Sequence, residues 1–141
     1  LEKQGNINNI EIKIYGTIEK NGYFRKSTNI EKINFFKLAG QSENYFCVIN
    51  YYSEYKNNEI QSEDIMIFEK RKEINANIFS GEKNIYIVKY EEEIKICKLE
   101  DTGDYILVKD LNISSKTVVL GKNDRYKLKI IGKLEKNIRS Y

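Results

Sequence analysis

Apolar side chains recur at every second position in several runs of this sequence, and this period constrains the fold more than any other feature. Ile10, Ile12 and Ile14 alternate with polar neighbours in the clearest run. A period of two places one apolar face on a core and one polar face in water, as in a β-strand. Because alanine occurs only twice, at Ala39 and Ala76, helical segments are disfavoured, and the sequence predicts a mainly β fold.

Further strands follow the first, which continues to Ile18. They are predicted at Tyr23–Lys26, Tyr45–Tyr52, Ile65–Lys70, Ile74–Phe79, Ile85–Tyr90, Ile94–Leu99, Tyr105–Val108, Thr117–Leu120 and Tyr126–Ile131. Asn21-Gly22 between the first two is the pair favoured in a type I′ hairpin turn. No helix-length connection separates the strands, so we expect antiparallel pairing. The chain is predicted to form a single β-rich domain over 1–141, as a strongly curved sheet, a barrel or a sandwich.

One segment, 27–40, has helical spacing. Ile30, Ile33 and Phe36 fall three residues apart, Ser27 can cap the start, and Gly40 can terminate the end. The same segment also contains strand-forming residues, and 33–39 can equally be interpreted as a strand. The sequence therefore predicts at most one short helix, at about 27–40.

The chain contains no histidine, which narrows the function. Histidine is the commonest metal ligand and the commonest general base near neutral pH. Cys47 and Cys97 are too far apart in sequence for a C-x-x-C motif and too few for a zinc site. We expect two buried free thiols, although a disulfide between neighbouring strands stays open. No catalytic residue, metal or cofactor is predicted, and the sequence favours a non-enzymatic protein.

The best functional indication is the charge of the C-terminal segment. Residues 122–141 contain seven cationic and two acidic side chains, a net charge of +5, whereas the whole chain carries +3. The predicted anion- or partner-binding residues are Lys122, Arg125, Lys127, Lys129 and Lys133. Arg125, Lys127 and Lys129 would share one face of the last strand, with Tyr126, Leu128 and Ile130 on the other.

Such a basic ridge suits phosphate, an anionic lipid headgroup or an acidic protein surface. It is equally typical of an edge strand whose lysines prevent aggregation. A nucleic-acid-binding β domain, with tyrosines stacking on bases, is the alternative function, but the net charge of +3 is modest for that role. Nucleic acid is therefore the less favoured partner.

The chain as a whole resembles the small OrfX-type proteins encoded beside botulinum-type neurotoxins in clostridia. The similarity lies in the length, in a composition of 22 Ile, 20 Lys and 16 Asn, and in the opening run from Glu2 to Gly16, EKQGNINNIEIKIYG. The resemblance implies a toxin-associated accessory protein that binds a larger OrfX-type protein of the same gene cluster. Several of the larger siblings are lipid-binding, TULIP-like proteins, which adds an anionic, phosphoinositide-like lipid as a second expected contact.

Neither a transmembrane segment nor a secretory signal peptide is predicted. No apolar run approaches the ~20 residues that a membrane-spanning helix needs, and no basic start precedes an apolar stretch. The sequence thus predicts a soluble protein, and the resemblance implies release together with the toxin. For binding to a larger protein, we expect addition of a strand at a sheet edge, with 7–18 or the C-terminal strand as the candidate edges.

Overall fold

A computed structural model describes residues 9–27, 32–36, 44–55, 60–70, 85–112 and 115–139. Ten strands and one 3-10 helix account for most of them. Strands β1 to β10 are Asn9–Ile18, Phe24–Lys26, Lys32–Phe36, Tyr45–Asn50, Ile65–Lys70, Ile85–Tyr90, Glu93–Asp101, Tyr105–Asp110, Val118–Gly121 and Leu128–Ile138, and the 3-10 helix is Lys122–Lys127. The mainly β prediction is confirmed, and the strand predicted at Ile74–Phe79 lies outside the described residues.

The strands form one sheet in the order β2-β1-β4-β5-β10-β6-β7-β8-β9, and β3 also pairs with β1. Gly16 pairs with both β2 and β4, and Lys13 pairs with both β3 and β4, so β2 and β3 share the side of β1 opposite β4. Eight of the nine described strand pairs are antiparallel. The pair β1–β4 is parallel, so the sheet is mixed and the wholly antiparallel expectation is corrected there.

The helix predicted at about 27–40 is wrong over Lys32–Phe36, which form β3. These residues pair with Asn9–Lys13 of β1, and the ladder of hydrogen bonds outweighs a weak helical period. The alternative interpretation as a strand is correct for 33–36. The remaining parts of that segment, 28–31 and 37–40, lie outside the described residues.

Both faces of the sheet are buried at its centre, because alternate residues of β5 and β6 enter different apolar clusters. On β5, Met66 and Phe68 join the first cluster while Ile67 joins the third. On β6, Ile87 joins the first and Tyr86 the second. The first cluster draws side chains from β1, β4, β5, β6 and β7, and β2 approaches β7. The sheet therefore curves strongly around the first cluster, as predicted, and its strand order stays open between β2 and β9.

Four aromatic rings cross the inside of this curve from β2 to β5. Neighbouring ring centroids of Phe24, Tyr15, Phe46 and Phe68 are 5.3, 5.1 and 5.5 Å apart in that order. Each such pair contributes about 1 kcal/mol beyond its buried area. The rings pack this closely because Gly16 leaves room: a Cβ there would lie 2.3 Å from Phe24 Cζ and 2.5 Å from the Arg25 carbonyl oxygen.

The first hairpin turns at Asn21-Gly22 as predicted, but the turn type differs. Gly22 N–H donates to the Glu19 carbonyl at 2.8 Å, and Glu19 N–H donates to the Tyr23 carbonyl at 2.9 Å. Only Gly22 has a positive φ, 89°, whereas a type I′ turn requires it at Asn21 also. The loop is a three-residue connection with a bulge at glycine, so the type I′ prediction is wrong.

A buried carboxylate fixes the C-terminal end of β10. Asp64 is fully buried and accepts hydrogen bonds from Gln61 N–H at 2.7 Å, Asn137 Nδ2 at 2.7 Å and Arg139 Nε at 3.2 Å. The carbonyl of Asp64 accepts from Asn50 N–H at 2.9 Å. These bonds join the end of β4, the loop before β5 and the end of β10.

Candidate functional site

The five predicted cations do not form one ridge. Lys122, Arg125 and Lys127 lie in the 3-10 helix, which also contains Tyr126, and only Lys129 and Lys133 lie in β10. The prediction that Arg125, Lys127 and Lys129 share a strand face is therefore wrong. The prediction fails because the chain must cross from β9 to the far side of β6. The 3-10 helix makes the first part of this crossing, so β10 begins only after Lys127.

The last strand is also not an edge. β10 pairs with β5 on one side and β6 on the other, so the edge-protection interpretation of its lysines is wrong. β1 likewise has neighbours on both sides. Neither candidate edge of the sequence analysis is available for strand addition over its described residues.

Lys129 and Lys133 project from opposite faces of the sheet. Lys129 pairs with Lys89, which continues the face of Ile87 in the first cluster. Lys133 pairs with Tyr86 of the second cluster, and its Nζ lies 6.0 Å from the centre of that ring. The register shift between Ile130 and Gly132 is a bulge, and the extra residue changes the face.

Two cations of the 3-10 helix already have carboxylate partners. Arg125 Nη2 lies 3.3 Å from Asp101 Oδ1, and Lys127 Nζ lies 3.4 Å from Asp124 Oδ1. The hydrogen bond and the charge of Asp124 raise the pKa of Lys127. Lys122 is exposed, and no carboxylate of the described residues lies within ion-pair distance of it. It is thus the cation of this helix best placed to meet an outside anion.

The structure places an open strand edge beside these cations, at β9. Leu111 N–H donates to the Ile96 carbonyl and Thr102 N–H donates to the Tyr105 carbonyl, which sets the alternation of hydrogen-bonded pairs between β7 and β8. Residues 105, 107, 109 and 111 therefore direct their backbone groups at β7. Ile106 and Val108 direct theirs at β9.

The partners of Ile106 and Val108 on β9 are Leu120 and Val118. Val119 consequently directs its N–H and C=O away from β8, and Gly121 directs its N–H the same way. β9 ends the strand order, and no other described strand pairs with it on that side. We refer to these three outward groups as the open edge.

Exposed apolar side chains lie on β9, on its neighbour β8 and in the 3-10 helix that follows β9. Val119 is 57% exposed, Tyr105 is 51% exposed and Tyr126 is 75% exposed. Val119 lies opposite the half-buried Leu107 on β8, and Tyr105 lies opposite Gly121. The run Val118-Val119-Leu120 predicts a strand but not the exposure of that strand, because the same pattern occurs at the centre of a sheet and at its edge.

A second concave region lies where β2 approaches β7. This cavity of about 400 Å³ is lined by Phe24, Lys26, Lys95, Asp110 and eleven further residues of the described chain. Its charged groups are largely paired with one another: Lys95 Nζ lies 3.8 Å from Asp110 Oδ2 and 3.9 Å from Glu93 Oε2. Asn112 N–H also donates to Asp110, at 2.9 Å. The charge of Lys95 is therefore offset by Glu93 and Asp110 within the wall of the cavity.

The two cysteines are free and fully buried, as predicted. Cys47 lies in the third cluster and Cys97 in the second. Burial raises the pKa of the Cys47 thiol to about 12. Burial, together with the nearby carboxylate of Asp110, also raises the pKa of Cys97.

We expect neither thiol to react with Ellman's reagent at pH 8 while the chain is folded, because the thiolate is the reactive form and both pKa values are raised. Adding denaturant should release both thiols to the reagent at the rate of a free cysteine. The absorbance of the released thionitrobenzoate measures the reaction. Fast labelling of either thiol, with circular dichroism still native, would contradict this assignment.

No protein-family model matches the chain, and no curated protein matches it at a significant level. Within the described ranges, no helix is long and apolar enough to cross a membrane. In that same part of the chain, no three potential Cys, Asp or Glu ligands group as a metal site.

Proposed function

We propose that this chain is a non-enzymatic accessory protein that binds a larger protein of the same neurotoxin-type gene cluster through the surface around β9. The single observation that supports the proposal is the open edge, with Val119 exposed on it and Tyr105 exposed on the neighbouring strand. Apolar and aromatic side chains next to unpaired strand groups are typical of protein-binding surfaces.

The exposed tyrosines suit a partner protein. A tyrosine ring supplies a large apolar contact area and a polar hydroxyl, and it loses little conformational freedom on binding. Tyr105 lies opposite Gly121 at the end of β9, and the 3-10 helix that contains Tyr126 begins at the next residue and contacts β9, so both tyrosines belong to the surface around the end of that strand. Lys122, exposed between them in the chain order, adds a positive charge to that surface.

The non-enzymatic part of the proposal rests on the sequence and on the state of the thiols. The chain has no histidine, and burial raises the pKa of both cysteines, so neither is a ready nucleophile. A weaker contact with an anionic, phosphoinositide-like lipid belongs to the same proposal. It would use Lys122 and Lys129, the exposed members of the predicted set for which no described carboxylate forms an ion pair.

Binding to the larger proteins encoded beside this chain tests the proposal. The variant Tyr105→Ser/Tyr126→Ser should lose about tenfold or more in affinity in a pull-down with each purified neighbour, because two contact rings are removed. The matched control is Tyr23→Ser/Tyr51→Ser, which removes two exposed rings far from β9. Equal losses in both variants, or no binding of any neighbour by the wild type, would contradict the proposal.

Vesicles and an oligonucleotide are assayed in parallel. Co-sedimentation with phosphoinositide vesicles that fades with salt, and weakens in Lys122→Gln/Lys129→Gln, would support the lipid contact. Oligonucleotide binding without protein or vesicle binding would instead favour the nucleic-acid alternative. In that case the protein-binding proposal fails.

A further inference from the structure

We propose that the open edge of β9 accepts an extended strand from the partner, and that this strand carries an apolar residue opposite Val119 with a carboxylate three residues to each side. The inference rests on the proposed protein-binding function and specifies the chemistry of the bound segment. Three observations carry it: the direction of the backbone groups, the exposure of Val119 and the positions of two lysines.

The backbone of β9 is prepared to pair with another strand. The N–H and C=O of Val119 form one side of a hydrogen-bonded pair, and the N–H of Gly121 begins the next pair two residues along. A Cβ at Gly121 would have nothing within 4 Å, so an approaching strand finds open space there. A partner residue opposite Val119 would project from the same face, beside the exposed valine and half-buried Leu107, and an apolar side chain fits this position best.

Lysines flank the strand without lying on it. Lys116 is three residues before Val119 and Lys122 is three residues after it, and both are exposed. No carboxylate of the described chain forms an ion pair with either side chain. Natural edges that must avoid pairing carry a charge within the strand itself. Here the centre of the strand stays uncharged and the charges lie about 10 Å away on each side.

This arrangement disfavours a second copy of the same chain. Two antiparallel copies of β9 paired about Val119 would bring Lys116 of one beside Lys122 of the other, and like charges directly opposite destabilise a strand pair. A segment with carboxylates at those positions instead gains two ion pairs. Because the lysines are equidistant from Val119, the requirement is the same for a parallel and an antiparallel segment.

The opposite edge of the sheet is a poorer acceptor. β2 has only three residues, and pairing of Glu19 with Tyr23 directs the outward groups of Phe24 and Lys26 toward the cavity between β2 and β7. An added strand there would have to enter that cavity. The outer side of β9 has no described strand across from it.

A designed peptide titration tests the inference. The probe is acetyl-Thr-Glu-Thr-Thr-Val-Thr-Thr-Glu-Thr-amide, and its control replaces both glutamates by lysine. The backbone amide resonances of Val119 and Gly121 in ¹⁵N-labelled chain should shift on titration, and the glutamate peptide should bind about tenfold more tightly than the lysine peptide at low salt. Shifts confined to other residues, or equal affinity for the two peptides, would overturn the inference.

Charge reversal gives the sharper variant. Lys116→Glu/Lys122→Glu should reverse the preference, so that the lysine peptide becomes the tighter ligand. Lys20→Glu/Lys136→Glu makes the same change in net charge at exposed sites away from β9 and should leave the preference unchanged. Reversal in both variants would show a general charge effect and would contradict strand addition at β9.

Val119→Pro tests the backbone. Proline removes the outward N–H without removing a β8–β9 hydrogen bond, so the glutamate peptide should lose most of its affinity. Val119→Ile keeps that N–H and should bind normally. If the proline variant does not fold, the charge reversal decides alone. A self-associated wild type in sedimentation velocity would overturn the inference in favour of a second copy.

The two proposals fail in distinguishable ways. Neighbouring proteins that bind the wild type, but bind Val119→Pro and Lys116→Glu/Lys122→Glu equally well, would overturn strand addition and leave the protein-binding function standing. Peptide binding with the predicted charge preference, in a chain that no cluster neighbour binds, would overturn the proposed partner class and leave the β9 site standing.

Discussion

Replacing the fully buried Asp64 by alanine is expected to lower the free energy of unfolding by about 3 kcal/mol. The carboxylate accepts hydrogen bonds from Gln61, Asn137 and Arg139, and all of these donors would lose their acceptor. Arg139 is 38% exposed and can recover water, so the loss should fall at the lower end of the range for a broken buried pair. Urea unfolding followed by circular dichroism measures the change.

The neighbouring exposed carboxylate is the control. Glu63→Gln should change the free energy of unfolding by less than about 0.5 kcal/mol, because surface changes of this kind have small effects. A loss in Glu63→Gln as large as that in Asp64→Ala would contradict a special role of the buried group.

The cost of Asp64→Ala should also depend on pH. Burial alone would raise the pKa of Asp64, but the hydrogen bonds from Arg139, Gln61 and Asn137 and the charge of Arg139 outweigh it and hold the pKa below its usual value. Such a group contributes stability that is fully present above its unfolded pKa and is lost as the pH falls through the lowered folded pKa. The difference between wild type and variant should therefore shrink in strong acid, and a constant difference would contradict the assignment.

Gly16→Ala is expected to cost about 3 kcal/mol, the upper part of the range for overpacking. The new Cβ would lie 2.3 Å from Phe24 Cζ and 2.5 Å from the Arg25 carbonyl oxygen. The ring could turn aside, but the carbonyl belongs to the backbone of β2, so β1 and β2 must separate. Chemical unfolding measures the loss, and the amide exchange of Arg25 reports the local separation.

Two comparisons make this result specific. Gly121→Ala should be neutral within about 0.5 kcal/mol, because a Cβ there meets nothing within 4 Å and the φ of −74° suits any residue. In a Phe24→Leu background, the penalty of Gly16→Ala should be smaller, because one of its two clashes is gone. Equal stability of Gly16→Ala and Gly121→Ala would contradict the close approach seen at β2.

The local pattern of the sequence predicts most strand positions. Ile65–Lys70 and Ile85–Tyr90 match β5 and β6 to the residue, because each is a short apolar run that is followed directly by charged residues. Lys32–Phe36 shows the limit of this approach. Helical spacing and strand-forming residues coexist there, and the partner on β1 decides between them from 19 to 27 residues away.

The neighbours of each strand cannot be predicted in this way. Nothing in Leu128–Ile138 indicates that it lies between β5 and β6, because hydrophobic alternation specifies a face and not a position in the sheet. The prediction of one basic ridge is wrong for this reason and for a second one. The bulge after Ile130, which separates Lys129 from Lys133, adds one residue, and its only local mark in the sequence is the adjacent Gly132.

The candidate site was likewise predictable only in part, because local pattern predicts its residues but not its position in the sheet. Charge alone predicts Lys122 as a binding residue, and Lys122 does flank the open edge. The sequence pattern correctly predicts Val119 in a strand, but the exposure of Val119 depends on β9 being the last strand in the order. The position of β9 in the sheet depends on the pairing of β8 with both β7 and β9, which brings together residues from 97 to 121.

The central position of β10 affects how the sheet is completed during synthesis. The chain leaves the ribosome from its N-terminus, so β5 and β6 exist before the strand that joins them. Until β10 inserts, the two halves of the sheet each end in a row of unpaired backbone groups next to buried residues such as Phe68 and Val88. The nascent chain is therefore most prone to mispairing in the interval before β10 emerges. If the ribosome stalls in that interval, the edges of β5 and β6 both stay unpaired.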